Sequence, residues 1–152
     1  MKIVEFLQPA AVVDDLPGTS AQVVLGELAR PLAAISKLDP QRLLDTLLER
    51  EKLGSTGIGD GVAIPHGKVA GLPAIMASFG RSKEGVNFNA IDGKPTYLFF
   101  TLFAPENSAG AHLKALARIS RIFKNPAFRE SIMKAGDAPE MFRLIETEDA
   151  KY

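Results

Sequence analysis

One stretch of the chain, residues 54–68, combines residue types that could carry out chemistry. Four of the thirteen glycines fall within residues 54–61, and a short apolar run then ends on Pro65, His66 and Gly67. Glycine allows backbone N–H groups to approach an anion or another chain closely. A neutral imidazole has a lone pair that can act as a nucleophile. Together these features predict phosphoryl chemistry on His66.

The two common nucleotide-binding loops do not fit this stretch. A P-loop has four residues between its first glycine and the Gly-Lys pair, followed by Ser or Thr, whereas five residues separate Gly61 from Gly67 and a valine follows Lys68. The dinucleotide fingerprint G-x-G-x-x-G lies between a strand and a helix, and Ile64 stands where its last glycine should be. Two simpler interpretations stay open: the glycines only form a tight loop, and His66 is a hydrogen-bonded structural histidine.

Composition limits the class of protein. The 152 residues are 46% apolar and 24% charged, which predicts a single globular domain spanning residues 1–152. Eighteen basic and eighteen acidic side chains cancel, so nothing favours nucleic acid or an anionic membrane as a partner. With no cysteine, two histidines and no paired-carboxylate spacing, we expect no metal and no cofactor. The lack of a long apolar segment predicts a cytoplasmic protein without membrane insertion.

Helix signals are clear on both sides of the glycine-rich stretch. A helix capped by Thr19 or Ser20 carries apolar residues at helical spacing, with Pro31 inside it as a possible kink. A second helix begins at Asp39 as its cap and should stop at Gly54. Three more helices close the chain: one at about 109–124, one after it that stops near Gly136, and a last one that begins at Asp137 as its cap.

Strand signals lie mostly between these helices. The predicted strands are Val12–Val13, Val62–Ile64, Ala74–Phe79, Val86–Phe88 and Thr96–Phe103, the last two joined through a turn at Asp92 and Gly93. The last strand is almost entirely apolar, which is typical of a strand buried on both faces. The sequence therefore predicts an α/β fold, a three-layer α/β/α sandwich with a mixed sheet.

The segment from Gly54 to Lys68 resembles the phosphorylation-site signature of bacterial phosphotransferase-system enzyme IIA (EIIA) domains of the fructose/mannitol type. Its first six residues are most similar to the nitrogen-regulatory branch of that family. The likeness extends over essentially the whole chain, through Arg50–Lys52, Phe88–Gly93 and the pair His112-Leu113.

The resemblance implies a set of site residues. His66 would take a phosphoryl group, on Nε2, from a His-containing phosphocarrier protein. His112 would hydrogen-bond the phosphoryl oxygens, and the alternative is a surface histidine in the first turn of a helix. Arg50 could pair with the same oxygens through its planar guanidinium, or be a solvated charge. The remaining candidates for phosphoryl binding are Ser55, Thr56 and Gly67; the two hydroxyl residues could equally be turn residues.

The resemblance also implies a function, with alternatives. We expect a phosphotransferase that carries a phosphoryl group as phosphohistidine and signals by its phosphorylation state, with transporters or sensor kinases as possible targets. One alternative is a sugar-specific enzyme IIA that passes phosphate to a fructose- or mannitol-type IIB partner. The other is a non-catalytic binding module that has kept the fold and lost the transfer.

Overall fold

The computed structural model describes all 152 residues and contains five α-helices and six strands. A 3₁₀ turn at Ile3–Glu5 precedes them. In chain order the elements are β1 (Leu7–Val13), α1 (Ala21–Ser36), α2 (Pro40–Glu51), β2 (Gly57–Gly59), β3 (Val62–Ala63), β4 (His66–Val69), β5 (Met76–Val86), β6 (Thr96–Pro105), α3 (Ala109–Phe123), α4 (Pro126–Lys134) and α5 (Ala138–Asp149).

All six strands form one mixed sheet. The strand order is β1-β5-β6-β3-β2, and β4 also pairs with β6. Strands β5 and β6 are antiparallel, whereas β1 runs parallel to β5 and both β3 and β4 run parallel to β6. Strand β6 is therefore the centre of the sheet, and it supports the two short strands on either side of residues 64–65.

Neighbouring residues of β5 show that helices cover both faces of the sheet. The Ser78 hydroxyl donates to the Leu28 carbonyl in α1, at 2.8 Å. The next side chain, Phe79, points the opposite way and stacks on Phe123 of α3, with ring centroids 5.5 Å apart. Helix α2 packs on α1, and α4 packs between α3 and α5. The predicted three-layer α/β/α sandwich is confirmed.

The central strand β6 is buried in the core on both faces of the sheet. Phe99 and Phe100 of β6 are fully buried, as the apolar sequence of this strand predicts. Phe123 contacts Phe100 on one side and Phe128 of α4 on the other, with centroids 5.9 and 5.2 Å apart. These contacts anchor the C-terminal end of α3 to the sheet.

Strand β5 is longer than the sequence suggests. It begins at Met76 and continues to Val86, which pairs with Thr96 of β6. The prediction of a separate strand at Val86–Phe88 is therefore wrong. A polar run interrupts the apolar pattern, but its first residue, Arg81, is only 1% exposed. Its guanidinium donates to the carbonyls of Asp14, Ile132 and Ala135, so burial leaves it with hydrogen bonds.

The predicted helix caps are largely confirmed. Ser20 accepts from the Val23 N–H at the start of α1, which runs through Pro31 to Ser36. Asp39 caps α2 in the same way, and Asp137 caps α5. Helix α2 ends at Glu51, earlier than the expected stop at Gly54. None of the five helices combines the length and apolar character that crossing a bilayer would require.

A buried carboxylate joins the two ends of the chain to α3. Asp149, at the end of α5, accepts from the Ile3 N–H at 2.6 Å and forms an ion pair with Arg118 of α3. The side chain of Asp149 is 2% exposed and that of Arg118 is 18% exposed. This ion pair fixes α3, the helix that carries His112, against the last helix of the chain.

We expect Asp149→Ala to lower the free energy of unfolding by about 3 kcal/mol, because it leaves the Arg118 charge largely buried without its partner. Equilibrium unfolding in urea measures this loss. The control is Glu130→Ala, which removes an exposed ion pair with Lys134 and should leave the unfolding midpoint unchanged. Equal midpoints for the two variants would contradict a structural role for Asp149.

Candidate functional site

The glycine-rich segment forms a β-hairpin. Strands β2 and β3 are antiparallel, and the two residues between them, Asp60 and Gly61, have φ angles of 57° and 76°. Positive φ at both turn positions is typical of a type I′ turn, which explains the Asp-Gly pair. The Asp60 N–H donates to the Asp92 carboxylate and the Gly57 N–H to the Ser55 hydroxyl, both at 3.0 Å. These N–H groups serve the loop itself, which favours the tight-loop interpretation of the glycines.

The backbone around His66 is held by the central strand. Strand β3 ends at Ala63, so His66 does not follow an uninterrupted strand, as the sequence suggests, but begins β4. It lies opposite Leu102 of β6, whose N–H donates to the Pro65 carbonyl at 2.9 Å. The predicted strand Val62–Ile64 is thus one residue shorter than expected, and Ile64 and Pro65 separate it from β4.

One hydrogen bond determines which nitrogen of His66 is available. Its Nδ1 lies 2.7 Å from the carbonyl oxygen of Ile64. A carbonyl oxygen can only accept, so Nδ1 must carry the proton in the neutral ring. The lone pair is then on Nε2. The residue is partly exposed, which leaves the ring accessible from outside the protein.

His112 lies beside this ring, although α3 and β4 are distant in the sequence. The two imidazoles meet edge to face, with centroids 5.4 Å apart and an angle of 78° between the planes. His112 is 7% exposed, and no protein group hydrogen-bonds its buried Nε2. The alternative of a surface histidine is therefore wrong: this is a buried ring in the first turns of α3, beside His66, and its Nε2 has no hydrogen-bond partner.

The N-terminus of α3 also differs from a fully capped helix. Ser108 stands at the cap position but makes no side-chain bond to the first turn. Its hydroxyl instead donates to the Pro105 carbonyl at 2.8 Å. The first-turn N–H groups next to His112 thus lack a side-chain acceptor, and such groups favour an anion.

Burial and positive neighbours keep both histidines neutral. The pKa of His66 is lowered mainly by burial and further by the Arg50 charge, while the Ile64 carbonyl and the Glu51 carboxylate oppose the shift. Burial also lowers the pKa of His112, with smaller contributions from His66 and from Lys68. At neutral pH, therefore, neutral imidazoles with free lone pairs predominate.

Arg50 and Glu51 bring the end of α2 into the site. Arg50 is partly buried, and its Nη1 donates to the Gly54 carbonyl at 2.9 Å. Its charge is near enough to act on His66. Glu51 turns towards the loop and accepts from the backbone N–H and the hydroxyl of Thr56. The structure thus brings together His66, His112 and Arg50, whose roles stay predictions.

The hydroxyls of Ser55 and Thr56 are already engaged. Ser55 donates to the Phe88 carbonyl at 2.6 Å, and Thr56, which is 4% exposed, donates to Glu51. These bonds favour the alternative that both are structural loop residues rather than ligands of a phosphoryl group. No cluster of three or more His, Asp or Glu side chains is arranged to hold a metal ion.

Gly67 allows β4 and α2 to pack closely, because it has no side chain. A methyl group built at this position would lie 2.5 Å from Cγ2 of Thr46 and 3.6 Å from the Thr46 carbonyl. The structure thus explains Gly67 by its contact with α2, and its role in phosphoryl binding stays a prediction. Sequence reasoning missed Thr46, which nothing in its surroundings singles out, and Glu51, whose position beside Arg50 was the only available signal.

The comparisons with known proteins agree with the fold. Residues 5–148 match the family "Phosphoenolpyruvate-dependent sugar phosphotransferase system, EIIA 2". The chain belongs to this family. Its resemblance to the nitrogen-regulatory branch of EIIA proteins is confirmed by a nitrogen regulatory protein of Bradyrhizobium diazoefficiens, which is 37% identical over 145 residues, 95% of each chain.

Two further relatives of this EIIA protein are informative. The crystal structure of nitrogen regulatory protein IIA-Ntr from Neisseria meningitidis superimposes with a TM-score of 0.89 at 39% identity, covering 94% of this chain and 98% of that one. A fructose-specific EIIABC component of Bacillus subtilis is 34% identical over 98% of this chain, which spans only 24% of that protein. The family therefore includes both nitrogen-regulatory and sugar-specific relatives.

Because both histidines have lowered pKa values, we expect their ring resonances to titrate below pH 6.5, the ordinary value for histidine. The unfolded chain binds these protons more readily, so stability should decrease as the pH falls below about 6.5. With two histidines in the chain, proton NMR of the wild type and of His112→Gln assigns both titration curves. A His66 curve centred above pH 6.5 would contradict the neutral site.

We expect Gly67→Ala to lower the free energy of unfolding by about 1–3 kcal/mol through overpacking against Thr46. Adding Thr46→Ser removes the Cγ2 methyl group but keeps the hydroxyl that donates to the Arg42 carbonyl. The double variant should therefore recover most of the loss, as measured by chemical denaturation. If Thr46→Ser gives no recovery in the Gly67→Ala background, the cost does not come from this contact.

Proposed function

We propose that this EIIA protein accepts a phosphoryl group on Nε2 of His66 from a His-containing phosphocarrier protein and signals by its phosphorylation state. The hydrogen bond from Nδ1 to the Ile64 carbonyl carries this proposal, because it directs the lone pair to Nε2. The partial exposure of the residue supports it as well, since a docked donor must reach the nitrogen.

In the proposed transfer one N–P bond forms as another breaks, so the step needs no metal or cofactor. The Nε2 lone pair of His66 forms a new N–P bond while the N–P bond to the donor's histidine breaks. The donor imidazole keeps the electron pair of that bond. Because the acceptor keeps its proton on Nδ1, phosphorylation leaves a cationic ring until that proton is lost to solvent, and the hydrogen bond to the Ile64 carbonyl stabilises this cation. Orienting the two partners and stabilising the charge on the phosphoryl oxygens are then the main contributions of the protein.

Three groups near His66 could stabilise that charge. His112 presents an unpaired buried nitrogen next to the His66 ring. A phosphoryl group there would raise the pKa of His112, because a negative charge favours the protonated ring. The protonated ring can donate to a phosphoryl oxygen. Arg50 has guanidinium N–H groups beyond the one that binds Gly54, and the first turn of α3 adds backbone N–H groups.

The nitrogen-regulatory relatives support a regulatory role over sugar transport. The matches in Bradyrhizobium and Neisseria cover nearly all of both chains, and we extend their nitrogen-regulatory function to this protein. Regulatory targets such as transporters or sensor kinases would then distinguish the phosphorylated from the unphosphorylated form. The 34% identity to a fructose-specific component supports the second candidate, a sugar-specific EIIA that donates to a IIB partner.

Intact-mass spectrometry after incubation with phosphoenolpyruvate and the upstream phosphotransferase proteins tests the proposal. We expect the wild type to gain the mass of one phosphoryl group, in an acid-labile form, and His66→Ala to gain none. His112→Gln should still be phosphorylated, but on the order of a hundredfold more slowly, because its neutral amide replaces a ring that can become a positively charged donor.

The outcomes separate the three functions. No gain in the wild type would favour a non-catalytic binding module, and a gain in His66→Ala would show that another residue is the nucleophile. Rapid passage of the phosphoryl group from the wild type to a fructose- or mannitol-type IIB protein would favour the sugar-specific alternative. Circular dichroism of each variant confirms that the fold is intact.

A further inference from the structure

We propose that Glu51 is a positioning residue for His66: its carboxylate holds Thr56, and two further hydrogen bonds transmit that position to the imidazole. The inference rests on the proposed function, since it concerns the nucleophile of that reaction. It assigns a role to a charged side chain that sequence reasoning names only as part of the stretch Arg50–Lys52.

The first link lies between α2 and the loop. Glu51 accepts from the Thr56 N–H with both carboxylate oxygens, at 3.3 and 3.2 Å, and also from the Thr56 hydroxyl. Thr56 is 4% exposed, so its end of these bonds is shielded from water, while Glu51 is partly exposed. Hydrogen bonds to a charged acceptor are stronger than neutral ones. The carboxylate therefore determines where the Thr56 backbone lies.

The second and third links run through the backbone to the ring. The Thr56 carbonyl accepts from the Ile64 N–H at 3.0 Å. The Ile64 carbonyl in turn lies 2.7 Å from Nδ1 of His66. Ile64 is thus held on both sides of its Cα atom, and its carbonyl keeps a direction that favours the Nδ1–H tautomer. Displacing Thr56 would release Ile64 and allow the other tautomer.

Glu51 also acts on the ring through its charge. Two charged side chains influence the His66 ring, and Glu51 favours the protonated form while Arg50 opposes it. The carboxylate thus balances the guanidinium that the proposed function needs for the phosphoryl oxygens. The side chain at position 51 must accept hydrogen bonds from Thr56 and must also carry a negative charge. Glutamate does both, whereas glutamine accepts the hydrogen bonds but is neutral.

The test compares Glu51→Ala and Glu51→Gln with Glu49→Ala. Glu49 lies on the same turn of α2, pairs with Lys52 at 3.5 Å and has a 75% exposed side chain, so its loss controls for a missing helix carboxylate. The readouts are nitrogen NMR of the His66 tautomer, the His66 titration curve and the rate of phosphoryl acceptance.

In Glu51→Ala we expect a measurable fraction of the Nε2–H tautomer, a lower His66 pKa and acceptance slowed about tenfold, a size typical for the loss of an orienting partner. Glu51→Gln should keep the Nδ1–H tautomer, because its amide oxygen still accepts from Thr56, but should also lower the pKa. Glu49→Ala should match the wild type in all three measurements.

Coincident tautomer fractions and titration curves for Glu51→Ala and Glu49→Ala would overturn the proposal. If Glu51→Ala does not fold, Glu51→Leu replaces it, since an apolar side chain of similar size accepts no hydrogen bond from Thr56; an unchanged tautomer fraction there would likewise overturn the proposal. The NMR readouts need no phosphoryl donor. Failure of the proposed function would therefore appear as a wild type that is never phosphorylated, whatever Glu51 does to the ring.

Discussion

The hydrogen bond between Nδ1 of His66 and the Ile64 carbonyl is the interaction on which the site depends. It decides which ring nitrogen has the lone pair, and it holds the ring in a single orientation towards the outside of the protein. The bond lies at residues 64–66, where regular strand structure lapses between Ala63 and His66, although the Pro65 carbonyl still accepts from the Leu102 N–H of β6.

The central strand β6 holds both histidines in place, one directly through strand pairing and the other indirectly through a packed helix. His66 is held directly, through the pairing of β4 with β6. His112 is held indirectly, because α3 is anchored by Phe123 against Phe100 of the same strand and by the ion pair of Arg118 with Asp149. A distance of 5.4 Å between the two rings thus results from packing that begins well away from the site. Polar chemistry at the surface depends here on an aromatic core beneath it.

Much of this arrangement could be predicted from the sequence, and the parts that could not have a common cause. The layer order, the helix caps at Ser20, Asp39 and Asp137 and the doubly buried β6 follow from local patterns. The extension of β5 through Arg81 could not, because only tertiary contacts show that carbonyls from other elements surround its guanidinium.

The same limit applies within the site itself. A sequence pattern identifies His66 but does not show that Thr56 faces Glu51 or that Gly67 faces Thr46, because these contacts join elements that only the fold brings together. The hydroxyls of Ser55 and Thr56 illustrate the point. Their chemistry allows them to bind an anion or to stabilise a loop, and only the positions of their neighbours decide between these uses.

The rigidity of the site has a consequence for how a partner would recognise the phosphorylated form. Strand pairing holds one ring and a packed helix holds the other, so little nearby can shift and carry a change of shape to a distant surface. The property that a partner detects would then be the added negative charge of the phosphoryl group, nearly two units, on a protein whose formal net charge is otherwise zero. Mobile ions screen such a charge within about 8 Å at physiological ionic strength. A partner would have to touch the rim of the site itself to sense it, and a rise in salt concentration should weaken its discrimination between the two forms.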